Sequence, residues 1–351
     1  MVNNNRQVEN AYNMLQYLYD ELKSKRFKTL DITDIKTLDE LYSIVISRWC
    51  ASIAKEGLYK EYVEIEDEEL TSPKGQINIR ESISKQTHLR GTLICSYDEL
   101  SDDIYINHIL KGTLQYMIYN NTARQEVKNE ILKTLQLFNG VSYIDITKIH
   151  WKDVKFNNNN IRYKHLIEMC KSLVDEHRLE KTLNVDDDKR LYILFKKQVL
   201  KWFRLRYSDT ETVELFERPY TMIENEPDFE VQISKYRELL AIRNIDSAVL
   251  INIRLQDEKI LDNPRLPRLQ LEEFVRDLRD FKKQYSVKVN GCLVYINTNK
   301  NKLNLEPMSI NSVNNYMIGE MVVDINDQWR FIENKLSEIY TYFIQRNKGR
   351  K

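Results

Sequence analysis

The sequence predicts a two-domain α/β protein, and three observations support this fold class. The chain has 351 residues, which is long for a single hydrophobic core, so two domains are expected. Apolar residues switch repeatedly between helical spacing and strand alternation in the first half of the chain. The second half follows the order helix, three strands, helix, two strands and helix, which is typical of an α/β unit.

Composition and charge restrict the class of protein. Hydrophobic residues make up 42% of the chain and charged residues 30%, as in soluble globular proteins. Lys+Arg and Asp+Glu are equal at 53 each, so bulk charge does not point to nucleic-acid binding, although phosphate contacts need only a local basic patch. No apolar run is long enough to span a bilayer, and the polar N-terminus lacks a signal peptide. We therefore expect a cytoplasmic protein without a membrane partner.

Cysteine and histidine usage argues against zinc chemistry and against a Cys or His nucleophile. The four cysteines are scattered without a CxxC pair and are expected to be reduced core residues: Cys50, Cys95, Cys170 and Cys292. The five histidines lack HExxH or another metal-ligand spacing. The pattern GxxxxGK[ST] does not occur in the sequence, so we expect no P-loop nucleotide site in this chain.

The first half of the chain alternates between helix and strand signals. Apolar residues at helical spacing predict an amphipathic helix at 7–24 and a second helix after Thr37. Further strands and helices are predicted at 59–65, 75–79, 93–97, 106–117, 123–138 and 163–177. The polar run at 184–189 predicts a boundary, which gives a mixed helix and strand domain at 1–183 and a second domain at 184–351.

Two acidic clusters each allow two interpretations. Asp98-Glu-Leu-Ser-Asp-Asp103 precedes a predicted helix, where acids either bind a metal or cap the helix at the positive end of its dipole. The triple acid Asp186-Asp-Asp188 is compatible with a metal cluster or with a capped linker. We favour the cap and the linker, which are the commoner structures.

The second half predicts the elements of the α/β unit in detail. A strongly apolar helix is followed by three strands, a helix, two strands and a closing helix, at 191–203, 211–217, 228–233, 247–255, 270–284, 287–296, 319–324 and 331–343.

One stretch of this unit has the outline of a metal-dependent nuclease core. Such a core has a Pro-Asp beside one strand and an acid-x-Lys at the end of a following apolar strand. Two carboxylates then bind Mg²⁺, while the lysine orients or protonates phosphate oxygens. The chain has Glu226-Pro-Asp228 and then the apolar strand 247–255. Residues i and i+2 of a strand share a face, and the matching positions are Asn252 and Arg254. The outline is present, but the acid and the lysine are replaced.

Several short stretches lie in the same order along nearly the whole chain as those of one known family. They are Asn10-Ala-Tyr-Asn-Met-Leu15, Gly57-Leu-Tyr-Lys-Glu-Tyr62, Lys74-Gly75-Gln76-Ile77, Cys95-Ser-Tyr-Asp-Glu-Leu-Ser101 with Asn107 and Ile109-Leu-Lys111, Trp151, Phe156, Asn159-Asn160, Tyr163, Gly291-Cys-Leu-Val-Tyr295, and Val323-Asp-Ile-Asn326 with Trp329. The series resembles the McrC family, the non-NTPase subunit of NTP-driven restriction systems. Each stretch is weak alone, and their order is the specific signal.

The resemblance implies a two-part subunit of a restriction complex. The N-terminal domain would dock on a ring of McrB-like AAA+ GTPase subunits and stimulate them, so that GTP is bound only by the partner. The C-terminal domain would be a PD-(D/E)xK nuclease that acts on foreign double-stranded DNA together with other components of the system. Lys74 and Gln76 depart from the family's basic turn, and Lys196 replaces a candidate acid in the first nuclease helix, so no role is carried over to them.

The resemblance assigns Asp228 to the first metal-binding position and places Asn252 and Arg254 on the Asp-x-Lys. Loss of one carboxylate weakens Mg²⁺ binding, and Arg254 would clamp a phosphate without exchanging a proton. A rival placement uses the literal Asp257-Glu-Lys259 with Asp228, although these residues lie past the end of the apolar strand. We favour the degenerate site.

Three functions therefore stay open at this point. The chain is a restriction subunit whose own nuclease centre has decayed, or the same subunit with a working centre at Asp228, Asp257 and Lys259. The third alternative is a non-enzymatic adaptor or DNA-binding scaffold. The first alternative is our prediction.

Overall fold

The computed structural model describes residues 4–24, 27, 33–120, 123–183, 187–219, 236–255, 265–297, 308–325 and 327–345. The chain divides into two compact units. We call Ile35–His177 the inserted unit, and Met1–Asp34 together with Arg178–Lys351 the main unit. The sequence predicted one boundary, between domains 1–183 and 184–351. The first helix therefore lies in a different unit from the one predicted.

Helix α1 (Asn4–Leu18) belongs to the main unit because it packs along α7 (Asp187–Tyr207). Lys201 Nζ of α7 donates to the carbonyl oxygens of Tyr17 and Leu18 at 3.0 and 2.9 Å. These carbonyls end α1, where they have no partner within the helix, so the lysine acts as a C-terminal cap from another helix. The apolar spacing of α1 predicts the helix itself but does not specify which half of the chain covers it.

The inserted unit is built around α2 (Leu38–Glu56), which is buried along most of its length. The helix begins after Thr37, as predicted, and the Thr37 side chain accepts from the backbone N–H of Glu40 at 3.2 Å. The other longer helices of this region are α4, α5 and α6, at Tyr105–Asn120, Gln125–Leu135 and Lys164–Leu183. They supply the apolar residues that close the core over α2.

A three-stranded antiparallel sheet with the order β1-β3-β2 stands beside these helices in the inserted unit. Its strands are β1 (Glu61–Leu70), β2 (Gln76–Ile77) and β3 (Leu93–Ser101), and the short helix α3 (Ile79–Ser84) follows β2. Asn107 Nδ2 donates to the carbonyls of Tyr59 and Asp102 at 2.9 and 2.7 Å. This one side chain joins the start of α4 to the segments leading into β1 and out of β3.

The main unit contains a six-stranded sheet with the order β4-β5-β6-β7-β9-β8. The strands are Thr212–Pro219, Tyr236–Arg243, Ser247–Leu255, Lys288–Asn297, Ser309–Val313 and Tyr316–Asp324 for β4 to β9. β4, β5 and β6 pair antiparallel, and β6, β7 and β9 pair parallel. Helix α8 (Arg265–Tyr285) connects the parallel strands β6 and β7, and α9 (Trp329–Tyr340) follows β9.

Helix α8 lies close against the middle of the sheet. A Cβ added to Gly291 of β7 would lie 2.5 Å from Cε1 of Phe274, so only glycine allows this approach of strand and ring. Leu250 of β6 and Leu278 of α8 belong to the same buried cluster. On the opposite face of β6, Tyr192 Oη of α7 donates to the carbonyl of Ile253 at 2.9 Å. The sheet therefore separates α7 from α8, as in other α/β layers.

The α/β fold class predicted from the sequence is confirmed, with differences in individual elements. The strands β5 and β8 were not predicted. The predicted strand at 228–233 lies outside the described residues. β5 contains Glu238, Leu239, Leu240 and Ala241, which favour helix in isolation; pairing between two neighbouring strands decides the structure instead. Within the described part of the chain, no helix has the length and apolarity required to cross a bilayer.

Candidate functional site

The two predicted site residues that the structure describes lie together on β6. Asn252 and Arg254 are separated by one residue and point to the α8 side of the sheet, the side that also carries Ala248 and Leu250. The i and i+2 argument from the sequence therefore predicted their shared face correctly. Glu226, Pro227, Asp228, Asp257 and Lys259 lie outside the described residues. The assignment of Asp228 as the first acid and the literal Asp257-Glu-Lys259 therefore stay predictions.

Arg254 faces a carboxylate that sequence reasoning missed. Its Nη2 lies 3.6 Å from Oε2 of Glu273 on α8, and the two residues are only 4% and 2% exposed. Tyr295 is the register partner of Arg254 on β7. Burial and the Glu320 carboxylate raise the pKa of Tyr295, while Arg254 lowers it. The guanidinium thus lies in a closed layer between the sheet and α8.

Two buried amides accompany this ion pair. Asn252 is 2% exposed and Gln270 of α8 is 3% exposed. Asn252 Nδ2 and Gln270 Oε1 make no hydrogen bond within the described part of the chain. A buried polar atom without a hydrogen-bond partner costs about 1–3 kcal/mol, so these two amides lower the stability of the fold.

A second ion-pair group lies farther along the same helix. Arg218 of β4 has its Nε 3.6 Å from Oδ1 of Asp277, and its Nη2 contacts the carboxylate of Asp280. Gln270, Glu273 and Asp277 follow an i, i+3, i+7 spacing, which places polar groups along the inner side of α8. This spacing could have predicted the buried polar layer from the sequence. Polar residues at core positions of an amphipathic helix need hydrogen-bonding or charged partners on the facing strands.

The described part of this layer does not fit Mg²⁺. The ion requires anionic oxygen ligands, whereas β6 offers one neutral amide and the Glu273 carboxylate already faces a guanidinium. More generally, no group of three or more Asp, Glu, His or Cys side chains with metal-site geometry occurs among the described residues. Lys196, which replaces a candidate acid, lies 3.9 Å from Glu238 Oε2 of β5.

The inserted unit presents a second candidate, which we call the acidic ribbon and define as β1 and β3. Its carboxylates are Glu61, Glu64, Glu66, Asp67, Glu68, Glu69, Asp98 and Glu99, and neither strand contains Lys or Arg. β1 forms the edge of its sheet, and none of its residues is buried. Tyr62 is 74% exposed, and Leu100 is exposed as well. A long edge strand with apolar side chains in solvent is typical of a binding surface.

The turn containing Lys74 and Gly75 is fixed to this ribbon. Lys74 Nζ lies 3.7 Å from Glu99 Oε2 and 3.7 Å from the centre of the Tyr97 ring. Gly75 has φ +67°, and a Cβ there would lie 2.5 Å from the carbonyl oxygen of Ser96. The turn thus requires glycine for its backbone conformation, and its lysine contacts residues of β3 in the same unit.

The acidic cluster Asp98–Asp103 is split between strand and helix start. Asp98 belongs to β3. The Asp103 carboxylate accepts from Ser142 N and Oγ at 2.5 and 2.7 Å, and His108 Nε2 lies 2.6 Å away. The Ser142 backbone N–H is the largest contribution that lowers the Asp103 pKa. Asp103 therefore fastens a loop to the first turn of α4, which agrees with a structural role for the cluster.

A family model described as "McrBC 5-methylcytosine restriction system component" matches residues 2–231. The chain belongs to this family. The matched region includes the whole inserted unit and the part of the main unit up to the β4–β5 connection. The family resemblance predicted from the sequence is confirmed.

This McrBC-family chain is also similar to two known proteins. It is 21% identical over 366 residues to the "Type IV methyl-directed restriction enzyme EcoKMcrBC" of Escherichia coli (strain K12), which covers 96% of this chain and 98% of that protein. It also matches a chain in the half-complex of the tetradecameric assembly of Thermococcus gammatolerans McrB AAA+ hexamers with bound McrC. That match has a TM-score of 0.53 and 16% identity, and it covers 95% of this chain and 76% of the other. This second likeness establishes a shared fold.

Proposed function

We propose that this chain is the McrC-like subunit of a restriction complex that cleaves foreign double-stranded DNA together with a McrB-like AAA+ GTPase. The main support for this proposal is the family match over residues 2–231, which spans the complete inserted unit. GTP belongs to the motor partner, because the sequence has no P-loop. The relative of matching fold is assembled with McrB AAA+ hexamers, which supports the same kind of partner here.

The acidic ribbon is the surface that we assign to the motor. It combines a high density of carboxylates with exposed apolar side chains on an edge strand. Exposed apolar side chains on an edge strand favour contact with a partner, and the charge of the ribbon selects a basic partner surface. The pairs of Lys74 with Glu99 and Arg90 with Glu69 neutralise only part of the ribbon.

We assign a structural role to the layer between β6 and α8. DNA cleavage by the complex would then take place at a site that does not include Arg254. The buried guanidinium beside Glu273 is closed to phosphate in this arrangement. Cleavage by this chain would then need the rival set Asp228, Asp257 and Lys259 with Mg²⁺. Substituting Asp257 and Lys259 by Ala tests that set directly: restriction of phage DNA that persists unchanged eliminates it, and loss of restriction with an intact complex establishes it.

The motor proposal is tested by mixing the purified chain with the AAA+ NTPase encoded beside it. We expect a complex on size exclusion and a rise in GTP turnover. Glu64→Lys with Glu66→Lys reverses two neighbouring charges of the ribbon and should weaken both readouts at least about tenfold, with the larger loss at low salt. Glu168→Lys, an exposed acid on α6 of the same unit, is the matched control. Absence of a complex with the unsubstituted chain would leave the adaptor alternative.

A further inference from the structure

Helix α8 carries a basic stripe on the side that is turned away from the sheet. Its buried side includes Phe274, Leu278 and Phe281, which belong to the core cluster over β6 and β7. The exposed charged side chains that the structure describes on α8 are four basic and one acidic: Arg276, Arg279, Lys282, Lys283 and Glu272. At 3.6 residues per turn these positions fall within about 120° of the helix circumference. The four cations therefore form one continuous stripe.

The charge of this stripe is largely unpaired. Arg279, Lys282 and Lys283 form no ion pair in the part of the chain that the structure describes. By contrast, several arginines of the inserted unit lie within 3.1 Å of a carboxylate, in the pairs Arg48–Glu130, Arg90–Glu69 and Arg124–Glu40. Because the whole chain has a net charge of zero, the stripe is a local excess of positive charge. Such an excess attracts a polyanion.

The carboxylates of the same half of α8 do not cancel the stripe. Asp277 is 2% exposed and lies on the buried side of the helix. Asp280 contacts Nη2 of Arg218 on β4, and Nε of this arginine lies 3.6 Å from Oδ1 of Asp277. Glu272 lies one helical turn before Arg276, at the N-terminal end of the stripe. The C-terminal part of the stripe is therefore positive without a facing acid on its own helix.

The composition of the stripe favours phosphates over a protein surface. No large apolar side chain is exposed on α8 among those that the structure describes. Protein interfaces are centred on aromatic or aliphatic side chains, whereas contacts to nucleic-acid phosphates come mainly from Arg and Lys. From Arg276 to Lys283 the stripe is about 10 Å long, since a helix rises about 1.5 Å per residue. This length corresponds to about three nucleotide steps along one strand of B-DNA.

We propose that the basic stripe of α8 binds the phosphate backbone of double-stranded DNA. The contact is independent of base sequence, because phosphates carry no sequence information. The proposal rests on the proposed function, in which a restriction complex cleaves double-stranded DNA, and it adds a surface by which this chain holds that DNA. The stripe lies on the outer side of α8 and does not use the closed layer of Arg254 and Glu273.

The test measures the fluorescence anisotropy of two labelled duplexes of about 30 base pairs and unrelated sequence. Each is titrated with the full-length chain at salt concentrations from about 50 to 200 mM. Arg279→Gln with Lys283→Gln removes two phosphate contacts and keeps residues that favour helix. We expect affinity at about 100 mM salt to fall at least about tenfold, equally for both sequences, and the slope of log K against log salt to decrease by about 1.8.

The matched control is Lys152→Gln with Lys155→Gln, which removes the same charge from two exposed lysines of the inserted unit. It should change the affinity for both duplexes by less than about twofold. The proposal is overturned if the α8 variant weakens DNA binding no more than this control does. It is also overturned if the unsubstituted chain binds neither duplex at the lowest salt concentration.

Mixing the α8 variant with the AAA+ NTPase separates this proposal from the proposed function. We expect the variant to form the complex and to raise GTP turnover like the unsubstituted chain. A variant that loses the motor complex and keeps its affinity for DNA would show that the stripe is a protein-binding surface, against the proposal. Absence of a complex with the unsubstituted chain would count against the proposed function, while the DNA titration, which needs this chain alone, would still decide the role of the stripe.

Discussion

Removing one partner of the buried Arg254–Glu273 pair should destabilise the main unit strongly. Glu273→Ala leaves a guanidinium that is 4% exposed without the carboxylate 3.6 Å away. Breaking a buried ion pair in this manner costs about 3–5 kcal/mol. Because each kcal/mol shifts Tm by about 2–4 °C in a domain of 150–250 residues, the expected drop is about 6–20 °C. Thermal and urea unfolding followed by circular dichroism measure it.

The matched control is Glu238→Ala on the same sheet. Glu238 lies 3.9 Å from Lys196 and is exposed, so its loss should cost about 0–1 kcal/mol. The second half of the test is Arg254→Met with Glu273→Leu, which should restore most of the lost stability, since apolar replacement of a buried pair is often neutral or favourable. A loss below about 1 kcal/mol for Glu273→Ala would mean that Arg254 reaches water or is held by another group, and the stabilising role given to the Arg254–Glu273 pair would then be incorrect.

Three further perturbations check other parts of the structure. Gly75→Ala forces a Cβ to within 2.5 Å of the Ser96 carbonyl at φ +67°, so it should cost about 1–3 kcal/mol and increase proteolysis of the ribbon under native conditions. The pKa of Asp103 is lowered in the fold, so its contribution to stability is complete above the unfolded pKa of about 3.9 and disappears as pH falls through the folded value. Asp103→Asn should lose that pH dependence, measured as amide exchange protection at Ser142. All four thiols are buried and free, as predicted: Cys50, Cys95, Cys170 and Cys292. Burial raises the pKa of Cys170 to about 12. A thiol reagent should therefore modify none of the four cysteines in the native state and all of them after unfolding.

The elements that the sequence predicted best are those whose pattern is set by burial alone. The strand at 247–255 coincides with β6 because it is buried on both faces and is apolar along most of its length. β3 extends to Ser101, beyond its predicted end at 97, because the pairing of Glu61 with Ser101 continues through exposed acids that favour a turn. Pairing energy, unlike periodicity, depends on a partner strand that a local pattern does not show.

The candidate site illustrates the same limit in its side chains. Strand alternation was sufficient to place Asn252 and Arg254 on one face. It could not supply Glu273, which is 19 residues farther along the chain from Arg254 and reaches it only because α8 returns across the sheet. The assignment of Arg254 as a phosphate clamp followed from its charge and from its match to the lysine of the Asp-x-Lys, and the position of α8 is what argues against it.

An experiment can distinguish whether the polar layer between β6 and α8 only fixes the packing of α8 or also acts on DNA. The buried ion pair lies beside two amides, each with one atom that makes no hydrogen bond among the described residues. This is not the most stable way to fill the space between β6 and α8, so stability alone does not explain it. If the layer only fixes the packing of α8, the double variant Arg254→Met with Glu273→Leu should fold, join the AAA+ partner and restrict phage in cells to within about threefold of the unsubstituted chain. A stable, motor-bound double variant that fails to restrict phage would instead show that the layer acts on DNA, and the structural role assigned to Arg254 would have to be abandoned.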